Sequence, residues 1–253
     1  MKNESIAEIK TKFRAASTIE LPDLISEYQN DERIEVTKAV KAAQNKLDKL
    51  NKEIERTENM KKYEKEYSDY ALICGIDEVG RGPLAGPVVA GAVILPKDCD
   101  ILYLNDSKQL SEKKREELYD VIMEKAVGVG IGFNNPKRID SINILNATYE
   151  AMTFAISQLP QKPDILLNDA VKIPGVSIKQ VPIIKGDAKS ISIAAASIVA
   201  KVTRDRLMIK YDSVYPEYGF ASNKGYGSAS HIEALKKYGP TPIHRRSFIG
   251  NFI

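Results

Sequence analysis

The chain has 253 residues and a mass of 28.1 kDa, and at 43% hydrophobic and 28% charged it lies near the globular average, which excludes disordered and collagen-like classes. No run reaches the roughly 18 apolar residues of a membrane span, the opening MKNESIAEIK has no apolar signal core, and two cysteines (Cys74 and Cys99) make neither a disulfide framework nor a structural zinc site, so a cytoplasmic protein without a membrane partner is expected. The net charge of +3 is mild, so any affinity for nucleic acid has to come from the arrangement of charge.

Taken in chain order, residues 1–70 read as helix. Every one of the 15 glycines lies at or beyond Gly75 and only Pro22 of the 12 prolines comes earlier, so this stretch lacks the residues that make tight turns. Ser5 and Glu8 fit a capping box, and Leu21-Pro22 fits the opening of a second helix. Val36, Val40, Ala43, Leu47, Leu50 and Ile54 then repeat at spacings of four and three, one apolar seam on a helix of about eight turns. Such a segment reads as a small bundle packing on itself, or more sharply as a coiled-coil partner or substrate-docking arm. Lys38, Lys41, Lys46, Lys49 and Lys52 are interleaved with acids and read as a solvated face.

From residue 71 the pattern changes. Residues 71–76, 88–95 and 127–133 read as strands, with a helix capped by Ser111 over 111–126 between the last two. A helix over 144–159, short strands at 164–168 and 181–185, a long helix over 190–211 and a last one over 231–239 follow. The expectation is an α/β fold, a mixed sheet flanked by helices, with a helical N-terminal extension (1–70) and a catalytic domain (71–253) that ends in a helical segment.

The acids sit at the strand ends. Asp77 and Glu78 follow the first strand, Asp169 follows the fourth, and Asp187 precedes the long helix. Singly, each could be a turn former or an N-cap. Together they can bring several carboxylates to one edge of a sheet, where their repulsion calls for cations. An all-oxygen set favours Mg2+ or Mn2+ over zinc, and two such ions form a clamp for in-line displacement at phosphorus.

The stretch GIDEVGRGPLAGPVVAGAVIL (75–95) closely resembles the signature of the ribonuclease HII family. The resemblance continues through DSKQLSEKKREELY (106–119), NILNATYEAM (143–152), LLND (166–169), KGDAKSISIAAASIVAKVTRD (185–205), NKGYGSASHIEAL (223–235) and HRRSF (244–248). It implies a ribonuclease H-like fold and metal-dependent endonucleolysis of RNA in RNA/DNA hybrids, with cleavage 5′ of single ribonucleotides embedded in duplex DNA. Asp77, Glu78, Asp169 and Asp187 match the family's metal-site acids, with Asp77 between two ions, Glu78 and Asp169 on one side and Asp187 on the other. Gly80, Arg81 and Gly82 match the tripeptide whose main chain approaches the ribose 2′-hydroxyl, and Tyr226 the tyrosine against the sugar. Lys108 is a candidate phosphate contact, and Arg81, Lys185, Lys201 and Arg204 are weaker ones.

His231 and His244 read as helix-capping or duplex-contacting residues, with a general acid role conceivable for either. Ser228 stands where the family often has threonine. The rival readings are a ribonuclease HIII-like enzyme acting on RNA tracts, a non-catalytic hybrid-binding protein, and an assembly module driven by the N-terminal helices. The expected partner is nucleic acid, and the expected state a monomer.

Overall fold

A computed structural model describes residues 4–253, which form two compact units meeting in sequence at Glu58/Asn59. The first unit holds helices α1 (Ile6–Ala15) and α2 (Leu21–Tyr28) and most of α3 (Ile34–Met60). Ser5 and Glu8 form the expected capping box, and a proline lies in the first turn of α2. Ile9, Tyr28 and Val36 bury together, with Phe13, Leu24 and Val40 against them, so the three helices pack on a small core of their own. The seam of α3 is buried at Val36 and Ala43, but Ile54 is 43% exposed.

The second unit starts earlier than the change in composition near residue 70. Met60 belongs to its core, and the short helix α4 (Lys62–Glu66) brings Tyr63 against Leu167, Ile183 and Ile193. Its sheet has five strands, β1 (Ile73–Val79), β2 (Val88–Ile94), β3 (Gly128–Asn134), β4 (Ile165–Asp169) and β5 (Lys179–Ile183), in the order β3-β2-β1-β4-β5. β1 is antiparallel to β2 and parallel to β4, and β4 is parallel to β5. Helices α5 (Glu112–Lys125), α6 (Pro136–Ser157) and α7 (Ile191–Val214) cover the sheet. The short α8 (Phe220–Asn223), α9 (Ala229–Tyr238) and α10 (Arg246–Ile249) complete the chain.

The alternation of β1 decides which face carries chemistry. Cys74 and Ile76 pack with Ala147, Ala151 and Met152 of α6. Gly75 and Asp77 therefore take the other face, under α7. That helix lies so close that a Cβ on Gly75 would stand 2.1 Å from the Ser192 carbonyl carbon, a spacing only glycine permits. The small residues Ala194 to Ala196 on the helix serve the same approach from above.

Several boundaries differ from those read in the sequence, two of them with a clear physical reason. β1 runs on through Asp77 and Glu78, because the ladder to β2 continues through Asp77↔Gly91 and Glu78↔Ala90, so the acids lie within the strand. α6 begins eight residues before the expected 144, with a non-helical break at Asn143 (φ 65°, ψ 164°). The Asn143 side chain accepts from the Asn146 amide at 3.1 Å and caps the second segment, which is the one its periodicity reveals.

Candidate active site

Register places the first two acids. Ile76 pairs with Asn168 across parallel strands, so Asp77 and Asp169 come next on strands about 4.8 Å apart, and the shared alternation puts both on the α7 face. Leu167, two residues before Asp169, packs against Ile193 of that helix. Asp77 is 6% exposed, and its Oδ1 accepts from the Glu78 amide at 2.7 Å. Burial above all, then the charges of Glu78 and Asp169, push Asp77 well above the ordinary carboxylate range, while Ser197 of α7 lies near this carboxyl and pulls its pKa down in part.

Glu78 is raised too, chiefly by burial, against the pull of Arg81, whose Nη1 donates to its Oε1 at 3.3 Å, and of Lys108. Asp169 Oδ1 accepts from the Gly186 amide at 2.7 Å, tying the end of β4 to the 3-10 turn Gly186–Ala188 that carries Asp187. Burial first, then Asp106 and Asp169, push Asp187 up to about 6. All four acids predicted from sequence thus share one electrostatic neighbourhood. Ser190 rather than Asp187 caps α7, accepting from the Ile193 amide at 3.2 Å.

Asp106, Ser107 and Ser197 join the site although sequence reasoning does not single them out. Ser197 Oγ donates to Ser107 Oγ at 3.0 Å, which docks the segment around Lys108 onto α7 and brings Asp106 to Asp187. A signal for Asp106 does exist, since it stands two residues before Lys108 and opens the DSK block.

The donor set is all carboxylate and carries more negative charge than Arg81 and Lys108 offset, which fits hard divalent cations. Among the described residues no group of three or more such side chains is placed to hold a metal ion by itself. That also fits, because Mg2+ takes one or two carboxylates and completes its shell with water and substrate phosphate.

Beyond β1 the chain turns at Gly80, whose φ of 90° is a left-handed value that favours glycine. Arg81 and Gly82 are exposed. Tyr226, 43% exposed, brings its ring to 3.9 Å from where a Gly82 Cβ would stand, so these two predicted substrate-binding elements meet in space. The loops are joined by the main chain, with the Leu84 amide donating to the Gly225 carbonyl at 2.8 Å. Lys108 and Lys185 are exposed as well.

Several weaker expectations are corrected. Arg204 cannot touch a phosphate. It is fully buried and donates to the carbonyls of Pro87, Lys224 and Ala85 at 2.9, 2.8 and 3.1 Å. Lys201 donates to Asp205 at 2.9 Å. His231 and His244 neither cap a helix nor reach the surface, being 0% and 2% exposed with their Nε2 atoms 3.0 Å apart. Ser228 caps α9, accepting from the His231 amide at 3.2 Å. Cys99 is buried in the core.

A mixed five-stranded sheet between helices, with acids clustered on adjoining parallel strands and the turn beside them, defines the chain as a nuclease-type hydrolase of the ribonuclease H fold. The crystal structure of the ribonuclease H2 from Pyrococcus horikoshii OT3 superposes with a TM-score of 0.59 at 31% identity, covering 70% of this chain and 93% of that one. A family model described as ribonuclease HII matches residues 74–251, and one described as the ribonuclease HII N-terminal domain matches residues 5–68. The chain belongs to the ribonuclease HII family. It is 64% identical over 249 residues to the ribonuclease HII of Lachnoclostridium phytofermentans, covering 98% of both, and 54% identical over 256 residues to that of Clostridioides difficile, covering 100% of both. It is therefore a ribonuclease H, an endonuclease acting on nucleic acid.

Proposed function

We propose that this enzyme hydrolyses the phosphodiester 5′ of a single ribonucleotide embedded in duplex DNA, as well as RNA in RNA/DNA hybrids, leaving 3′-hydroxyl and 5′-phosphate ends. Asp77, Glu78, Asp169 and Asp187 would hold two divalent ions, Mg2+ or Mn2+. When bound, such ions supply an activated water and neutralise charge at the phosphate and the leaving oxygen. The single observation that carries the reading is a buried Asp77 between the charges of Glu78 and Asp169, beside an exposed glycine turn faced by Tyr226.

The chain's own groups divide the remaining work. Gly82 has no side chain to hold a sugar away, so main chain can approach the 2′-hydroxyl, the group that distinguishes RNA from DNA at one position. Tyr226 offers a ring face to that sugar. Lys108 supplies positive charge for a phosphate without sequence preference, so binding weakens as salt rises. The protein acts as a monomer, its N-terminal helices an extension of the catalytic domain.

The test is cleavage of a DNA duplex bearing one ribonucleotide, with Mg2+ or Mn2+ and an EDTA control. Incision on the 5′ side that stops with EDTA is expected. Cleavage confined to longer RNA tracts would move the enzyme to the ribonuclease HIII-like reading, and metal-independent binding without cleavage would end the catalytic one.

A further inference from the structure

Two arginines lie beneath the glycine turn where no phosphate can reach them. Arg204 and Arg245 are both 0% exposed, and among the described residues neither has a carboxylate at ion-pair distance. A buried guanidinium is costly unless its donors are satisfied, and here they are satisfied by main-chain carbonyls. Arg245 donates through Nε to Gly86 O at 3.0 Å, through Nη1 to Arg81 O at 2.9 Å and through Nη2 to Gly80 O at 2.5 Å. Burial lowers its pKa to about 9, which leaves it charged at neutral pH.

The consequence follows from peptide geometry. In a trans peptide the carbonyl of one residue and the N–H of the next point in opposite directions. With the Gly80 and Arg81 carbonyls held inward by one planar fork, the Arg81 and Gly82 N–H groups face outward. Both residues are exposed, and among the described residues neither N–H has a partner within the protein. Neighbouring amides are spoken for, Leu84 and Ala85 by the Gly225 carbonyl and Gly86 by that of Ile243. The two free donors are the ones beside the Tyr226 ring.

We infer that Arg245 is a positioning residue for ribose recognition, turning the Arg81 and Gly82 amides outward as a fixed pair of donors to the oxygens of a ribonucleotide, its 2′-hydroxyl and the adjoining phosphate. This rests on the functional reading above. Lysine in its place keeps the charge but lacks the planar fork that holds two successive carbonyls at once. Arg204 supports the facing loop through Lys224 O, with its guanidinium 6.0 Å from the Tyr226 ring centre.

The test measures discrimination. Fluorescence anisotropy, with Ca2+ replacing the catalytic ion, compares a duplex containing one ribonucleotide with the same duplex in all-DNA form, for the wild type and Arg245→Lys. The expected result is a fall of about tenfold in preference for the ribonucleotide, the value of one aligned hydrogen bond, with all-DNA affinity within about twofold of wild type. In cleavage assays KM for the ribonucleotide-containing duplex rises by a similar factor, while kcat changes less. A purely structural role would weaken both duplexes alike.

A second measurement needs no variant. Amide exchange at Arg81 and Gly82 in the wild type should slow on the ribonucleotide duplex more than on the all-DNA one. Equal exchange in the two complexes overturns the inference, and so does a folded Arg245→Lys protein that discriminates as well as wild type. If that variant does not fold, amide exchange decides. A wild type that cleaves no ribonucleotide-containing duplex overturns the functional reading itself.

Discussion

Acid should weaken this protein through its two histidines. The Thr241 amide donates to His244 Nδ1 at 3.0 Å, so the His244 proton resides on Nε2 and is offered to His231 Nε2. His231 in turn carries its proton on Nδ1, 2.8 Å from the Tyr226 carbonyl. These tautomers, assigned from the partners, make a relay of neutral rings in which a second proton would set donor against donor. Burial first, then the charges of His231 and Arg246, lower His244 to about 4, and burial lowers His231 as well.

The sign follows from proton uptake. Between pH 6.5 and about 4 the unfolded imidazole binds a proton that the folded one refuses, so this contribution is whole above 6.5, declines through that window and levels off below it. For His244 the loss amounts to about 3 kcal/mol. Asp187, raised to about 6, titrates with the opposite sign in the same range, since protonation relieves the cost of its buried charge and then its repulsion by Asp106 and Asp169. The informative quantity is therefore the difference between wild type and His244→Gln in urea unfolding at pH 7.5 and pH 4. The wild type should lose about 3 kcal/mol more than the variant over that interval. With only two histidines in the chain, NMR titration reads both rings directly. Two histidines titrating near 6.5, or identical pH slopes for the two proteins, would mean that burial does not hold the pair neutral.

Asp77→Asn should stop cleavage while raising the melting temperature of the metal-free protein, because it removes a buried charge that Glu78 and Asp169 repel, and calorimetry beside a gel assay checks both. Gly75→Ala drives a Cβ into the backbone of Ser192 and should destabilise by about 3 kcal/mol, seen as a lower urea midpoint. Ser190→Ala removes both the cap of α7 and the hydroxyl that donates to Glu64 at 2.5 Å, and should cost about 2 kcal/mol of stability in the same measurement. An unchanged midpoint in either variant would contradict the close packing or the capping described.

Local pattern makes much of this protein legible in its sequence. The seam of α3, the capping box at Ser5 and the acids at strand ends each leave a short-range mark, because periodicity, caps and turns are set by residues a few positions apart. The extent of β1 is not legible in that way, since two acids look like the end of an apolar strand while the ladder to β2 runs through them. Cys99, set among polar residues in sequence, is drawn into the core by tertiary contacts.

The residue types at the site belong to the sequence, and their surroundings to the fold. Nothing local separates Arg245 from a surface arginine, yet it binds carbonyls up to 165 positions away, and a carbonyl is present at every residue whatever its side chain. His231 and His244 likewise acquire their neutral state only by being buried against each other. Composition and spacing name the groups that can carry charge. Which of them meets water, and which meets only backbone, is decided when distant segments close over it, because desolvation depends on everything that surrounds a group in space.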